Sequence, residues 1–119
     1  MELAFAYLLA VHWVADFVCQ THWQASNKSK NWNALTRHVA SYSLVLWVAS
    51  FLIIPWWLTV PFAAINFALH FATDAVTSRI TSKLWTEQRV HDFFVIIGLD
   101  QLIHQMTLLG TLLVFLRYT

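Results

Sequence analysis

The chain has 119 residues, 59% of them hydrophobic and only 11% charged, with seven Trp and a formal net charge of +1. Roughly 25% charged is ordinary for a soluble domain, so the composition points to an integral membrane protein of a single domain, residues 1–119. A near-neutral charge leaves no nucleic-acid footprint, and the single Cys19 excludes an internal disulfide.

Taken in chain order, the apolar runs predict an all-α polytopic bundle of four transmembrane helices. The spans fall near Leu3–Trp23, Ala34–Ile54, Leu58–Lys83 and Asp92–Leu116. The N-terminus, Met-Glu-Leu-Ala, lacks the basic segment of a cleavable leader. Span one carries His12, Asp16 and Gln20, and Cys19 in it reads as a small packing residue. A polar loop, Gln24 to Asn33, follows, and Asn33 is placed to cap span two. Spans two and three join through a tight turn at Pro55-Trp56-Trp57, with Pro61 expected in the first turn of the third helix. A short polar connection, Leu84 to His91, leads to span four.

Lys28, Lys30, Arg37, Arg79, Lys83 and Arg89 flank the first and third loops, and only Arg117 lies at the opposite end. The positive-inside rule puts the basic loops in the cytoplasm and both termini on the non-cytoplasmic side. Trp23, Trp32 and Trp85 mark the inner interface, and Trp56 and Trp57 the outer one. The expected location is therefore a plasma membrane crossed several times, with the lipid bilayer as the first partner.

Three pairs stand out inside these spans: His12 and Asp16, His70 and Asp74, and, in reverse order, Asp100 and His104. Residues four apart lie one above the other on a helix face. The reversed order is what an antiparallel third helix requires around one shared site. Converted at 1.5 Å per residue, Asp16, Asp74 and Asp100 lie roughly 12–14 Å from the cytoplasmic ends, and His12, His70 and His104 roughly 18–20 Å. His38 falls at about 5 Å. Gln20 and Ser78 lie one turn below Asp16 and Asp74, and Asn66 one turn above His70 as a candidate partner for it.

Ionisable groups within membrane segments are costly and mark function. Three carboxylates in one layer cannot all stay ionised without compensation, and a divalent cation is the economical compensation. Mixed imidazole and carboxylate donors suit Zn, Mn or Fe. The candidate metal ligands are His12, Asp16, His38, His70, Asp74, Asp100 and His104. Their number suits two ions sharing a bridging carboxylate. His38 and Asp100 are the candidates for a direct catalytic role, His38 either completing the ligand shell or acting as a general acid near the cytoplasmic mouth. His22 and His91 read as interfacial, and Gln20 and Gln101 as ligand orienters or interhelical hydrogen bonders.

The elements His12-x-x-x-Asp16-Phe17-x-x-Gln20, His38 early in span two, His70-x-x-x-Asp74 and Asp100-Gln101-x-x-His104 resemble domain-of-unknown-function family 3307, short membrane proteins of bacteria and phages. The resemblance covers nearly the whole chain and extends to small inner-membrane proteins described as metal-dependent hydrolases. It implies a bacterial inner membrane and a hydrolase.

The functional expectation is a membrane-embedded metal-dependent hydrolase. Its substrate is amphiphilic, a phosphate ester of a lipid or isoprenoid, drawn in by the basic loops. Two rivals stay open. Stacked Asp and His layers also describe a metal or proton conductor, which requires a homo-oligomer. A non-enzymatic phage or bacterial effector with a structural metal is the other.

Overall fold

A computed structural model describes residues 1–119. The chain is all-α, with five helices and no strand: α1 Glu2–Trp13, α2 His22–Asn27, α3 Trp32–Ser50, α4 Trp56–Thr86 and α5 Val90–Leu116. Helix α1 runs on into a π-helical turn, Val14–Val18, closed where Cys19 N–H donates to Val14 C=O at 2.9 Å. The first expected span is therefore not one helix to Trp23. It stops after the π turn, breaks at Gln20, and restarts on a capping box. The Thr21 hydroxyl accepts from Gln24 N–H at 3.1 Å, while the Gln24 amide oxygen accepts from Thr21 N–H at 3.1 Å. A cap of this kind contributes about 1 kcal/mol and draws the first four residues of the expected polar loop, 24–27, into α2.

Other ends also differ from expectation. The cap of α3 is Asn31, whose side chain accepts from Asn33 N–H at 2.8 Å, not Asn33 itself. Helix α4 begins at Trp56, so Pro61 lies beyond the first turn and removes one interior backbone donor. It sits on an exposed face, where the loss is tolerated. Cys19 is exposed at the break and is not a packing residue.

Helix α4 ends in a Schellman motif. Arg89 N–H donates to Leu84 C=O at 2.9 Å and Gln88 N–H to Trp85 C=O at 3.0 Å. Gln88 carries φ 58°, a left-handed position that glycine usually fills.

Helix α1 packs against α3 and α5, α3 against α4, and α4 against α5. Cross-helix pairs fix the directions. His12 meets Tyr42 and Tyr7 meets Ala49, so α1 and α3 are antiparallel. His38 meets His70 and Trp47 meets Thr59, so α3 and α4 are antiparallel. Asn66 meets Thr111 and Thr77 meets Asp100, so α4 and α5 are antiparallel. Helices α1 and α4 thus point one way and α5 the other, the relation that the reversed Asp100/His104 order demands.

The interior divides along its length. Toward the end that holds both termini and Pro55, Leu8, Tyr42, Leu46, Phe62, Leu108, Leu112 and Phe115 belong to one apolar cluster. Toward the other end the interior is polar. Half of the 28 buried residues are polar or charged, among them His12, Asp16, His38, His70, Asp74, Asp100 and His104. On α4 the buried stripe runs Thr59, Asn66, His70, Asp74, Thr77, Ser78 and Thr81 at helical spacing. The outward faces carry Leu44, Val48, Val60, Val76, Phe94 and Leu102, each more than half exposed.

One helix, Val90–Leu116, is long and apolar enough by itself to cross a membrane. The other three expected spans do not reach that standard. The first is divided at the π turn, and α3 and α4 carry Arg37, His38, Asn66, His70, Asp74 and Arg79 within their lengths.

Candidate metal centre

Four segments deliver the polar side chains. The π turn supplies Asp16, α3 supplies His38, α4 supplies His70 and Asp74, and α5 supplies Asp100 and His104. A π turn widens the helix by one residue and is frequent at functional sites. Here it carries Asp16 to the meeting point of the helices.

Asp16, His38, His70 and Asp74 each bring one donor atom to a common point, all within 4.8 Å of one another. His38 Nε2 lies 3.0 Å from Asp16 Oδ1 and 3.2 Å from Asp74 Oδ2. His70 Nε2 lies 3.5 Å from Asp16 Oδ1 and 3.4 Å from Asp74 Oδ2. The two Nε2 atoms are 3.3 Å apart. These are five of the six edges of a tetrahedron and are nearly equal, and the sixth, between the two carboxylate oxygens, is within 4.8 Å. A tetrahedron with such edges has its centre roughly 2.0–2.4 Å from each corner, a range that begins at the length of a zinc bond to imidazole nitrogen or carboxylate oxygen. The donor set therefore fits a small divalent cation in chemistry and in size.

A second group, Asp16, Asp100 and His104, satisfies the same 4.8 Å criterion and shares Asp16 with the first. His104 Nε2 lies 3.2 Å from Asp100 Oδ1 and 3.0 Å from Asp74 Oδ1. Asp74 thus turns Oδ2 toward the first group and Oδ1 toward the second. The rings of His70 and His104 stack at 4.0 Å, and Tyr42 stacks on the other side of His70 at 3.9 Å.

His12, expected as a ligand, lies outside both groups; its Nε2 is 3.6 Å from Asp16 Oδ2, and both its ring nitrogens have hydrogen-bond partners. The directions follow from what each partner can do. Gln101 Nε2 faces carboxylate oxygens of Asp16 at 3.2 Å and Asp100 at 3.0 Å, so it donates to both. Its Oε1 then accepts from His12 Nε2–H at 2.8 Å. That leaves His12 Nδ1 to accept from the Tyr42 hydroxyl at 2.9 Å. The chain Tyr42, His12, Gln101 holds the outer oxygens of two carboxylates, and Thr77 fixes the remaining Asp100 oxygen, donating at 2.5 Å.

Other expected residues fall as follows. His38 is fully buried, level with the carboxylates, and not near the mouth. Asn66 bonds Thr111 at 3.1 Å and the Phe62 carbonyl at 3.0 Å, not His70. His22 and His91 are exposed and remote from the cluster. Arg37 and Arg79 lie over the rings of Trp23 and Trp32, at 5.7 and 4.2 Å. The Nδ1 atoms of His38 and His70 are buried without a partner, whereas ligating histidines usually bond their second nitrogen.

The sequence marks Lys28 as a topology determinant and as one of the basic residues that draw an anionic head group to the opening, but not as a partner of the cluster. Its Nζ reaches Asp74 Oδ2 at 3.3 Å, with the side chain 21% exposed. It also lines an open cavity of about 710 Å³ whose wall includes Asp16, Asp100, Gln101, Gln20, Lys30 and Ser78. The cavity opens toward the α2 end, away from the apolar cluster.

Fold and site together define an all-α protein with a buried His/Asp cluster of cation-binding chemistry. The chain belongs to the family described as Protein of unknown function (DUF3307), which matches residues 4–118, in agreement with the resemblance carried by its His/Asp elements. No curated protein and no solved structure matches it.

Proposed function

We propose that the protein is a membrane-embedded hydrolase that acts on an amphiphilic phosphate ester through a His/Asp centre of two divalent ions. One observation carries the reading. Two donor groups share Asp16, and Asp16 and Asp100 form the floor of a cavity open to solvent. A divalent ion at such a centre supplies an activated water at neutral pH and a Lewis acid for the ester oxygen. Zn, Mn and Fe all suit the mixed donors.

The residues take distinct parts. Asp16, His38, His70 and Asp74 would hold one ion, and Asp16, Asp100 and His104 would hold the other. Asp100, with Asp16, lies on the cavity wall where an incoming substrate arrives. The Tyr42, His12 and Gln101 chain positions the carboxylates, with Gln101 itself on the cavity wall.

The membrane part of the reading rests on polarity. In the half of the bundle that holds the cluster, the helices turn polar residues inward, while apolar side chains such as Val76, Phe94 and Leu102 face outward. On this reading the crossings are made by α1 with its π turn, α3, α4 and α5, of which α5 alone is long and apolar enough to cross by itself. At 19 residues, α3 is about 28 Å long, close to the hydrocarbon thickness. The charge bias puts the α2 end and the cavity mouth at the cytoplasmic face of a bacterial inner membrane, with both termini outside. A conductor is less well supported, because the apolar cluster closes the interior beyond the imidazoles.

The test uses the detergent-purified full chain. Elemental analysis counts ions per chain, and release of phosphate from short-chain phosphatidic acid in mixed micelles reads activity. The expected result is metal-dependent release, abolished in Asp100→Asn. A protein that neither retains nor takes up a divalent ion overturns the proposal.

A further inference from the structure

Three features of the cavity wall remain unused by the metal centre. Ser78 is buried, 7% exposed, and its hydroxyl has no hydrogen-bond partner. Most buried hydroxyls are bonded, so an orphan on a cavity wall calls for a ligand. Lys28 and Lys30 bring positive charge to the same wall, whereas Lys83 is drawn toward Glu87, 3.9 Å away. Between the main cavity and the cluster lies a recess of about 50 Å³ lined by Lys28, Asp74, Ser78, Thr81 and Asp100, among others.

Several donors around a small recess suit a tetrahedral oxyanion, which accepts from many directions. Two carboxylates on the recess oppose this. An anion entering beside Asp74 and Asp100 meets like charge unless a cation stands between them. Lys28 is itself held by Asp74 Oδ2, one of the tetrahedron's four corners. A cation at the centre and the Lys28 ammonium draw on the same oxygen, so the arrival of one loosens the other.

The geometry points to a phosphate-class oxyanion subsite formed by Lys28 and Ser78 at the recess, with Lys30 on the wall of the larger cavity outside it, filled after a divalent cation has taken Asp74 and released Lys28 to the anion. This rests on the metal-centre reading and adds to it which residues hold the head group, and in which order the ligands bind. The movement is confined to the Lys28 side chain. Its backbone N–H stays bonded to Gln24 C=O at 2.9 Å, at the end of α2.

Calorimetry on the full chain in detergent tests the order, with Zn²⁺ or Mn²⁺ as one probe and inorganic phosphate as the other. The unaltered protein is expected to bind phosphate only when metal is present. Ser78→Ala removes an unpartnered hydroxyl, so folding and metal affinity should hold while phosphate affinity falls about tenfold. Lys28→Met should bind the cation roughly tenfold tighter, having lost a competitor for Asp74, and lose phosphate binding. Lys28→Arg should restore phosphate binding in part. In nanodiscs of phosphatidylcholine, added phosphatidic acid that suppresses the phosphate heat identifies a lipid head group as the occupant. A phosphate heat that persists identifies the free ion.

Phosphate bound equally with and without metal overturns the subsite, as does unchanged phosphate affinity in both Ser78→Ala and Lys28→Met. Metal uptake lost in Asp16→Asn, together with no phosphate binding in the unaltered protein, sinks the subsite alone. No metal uptake at all sinks both the subsite and the function it rests on.

Discussion

Asp16 is the residue whose replacement separates a shared two-ion centre from independent polar pairs. It belongs to both donor groups, whereas His38 belongs to the first alone and Asp100 to the second alone. Losing a partner outside the ligand shell costs a metal site 10–100-fold, so losing a direct carboxylate ligand should cost more than about 100-fold, near 3 kcal/mol. Asp16→Asn keeps the side-chain shape and removes the charge from both groups together. The unaltered protein should carry about two ions per chain, His38→Ala and Asp100→Asn about one each, and Asp16→Asn close to none. Plasma mass spectrometry against amino-acid quantification, after dialysis against buffered free metal, gives the counts. Circular dichroism on the same samples checks that the helices remain. Equal loss in Asp16→Asn and Asp100→Asn, with helices intact, would refute the shared carboxylate.

Three further outcomes follow from contacts already described. Gln101→Leu strips partners from His12, Asp16 and Asp100; with Gln101 itself half-buried, about 3 kcal/mol is expected. That is a fall in Tm of roughly 10 °C, and a shift under 2 °C by intrinsic fluorescence would show that the amide holds nothing. Gln88→Gly relieves the left-handed backbone at φ 58°, and should gain about 1 kcal/mol and a few degrees in Tm. No gain there would mean that the turn relaxes without it. Replacing Asp16, Asp74 and Asp100 together with Asn removes three buried charges at nearly constant shape. The fold should survive while metal and hydrolysis are lost, because an interior without unpaired charge is no less stable; an unfolded triple variant by circular dichroism would make the metal a structural staple.

The paired residues were legible because a helix is nearly one-dimensional. Spacing of four fixes a shared face, and reversed order fixes relative direction, without knowledge of loops. Equal depth of His70 and His104 followed from counting, and their rings stack at 4.0 Å. His38 was placed too shallow by counting from Ala34; the true start of α3 at Trp32 accounts for about 3 Å of the difference. What failed required knowledge of where backbone or flexible side chains go. The apolar run through Val14–Val18 hid a π turn, and reading on through it passed over the Thr21-x-x-Gln24 capping box. His12 matched the other histidines by pattern, but Tyr42 and Gln101 occupy both of its nitrogens. Lys28 looked like a topology signal because its partner, Asp74, lies 46 residues away and the contact depends on a long side chain. Arg37 and Arg79 carried the same charge but found indole rings instead.

The charge balance of the interior says what kind of site this is. Three carboxylates, Asp16, Asp74 and Asp100, are all under 9% exposed, and one ammonium, Lys28, is the sole Lys or Arg side chain paired with any of them. A buried ion pair built for stability has a fixed partner for each charge, because an unpaired charge in the interior costs several kcal/mol. Here the counter-charge is short and has to be supplied by something that comes and goes, either protons on the surrounding imidazoles or a cation at their common point. The imidazoles are arranged to accept either. Nε2 of His38, His70 and His104 all turn toward carboxylate oxygens at 3.0–3.5 Å. The apolar cluster shuts one route of exchange and the cavity beside Lys28 opens the other. A cluster short of positive charge, sealed on one side and open on the side lined with lysines, has the charge and access that the proposed cation centre and its anionic substrate require.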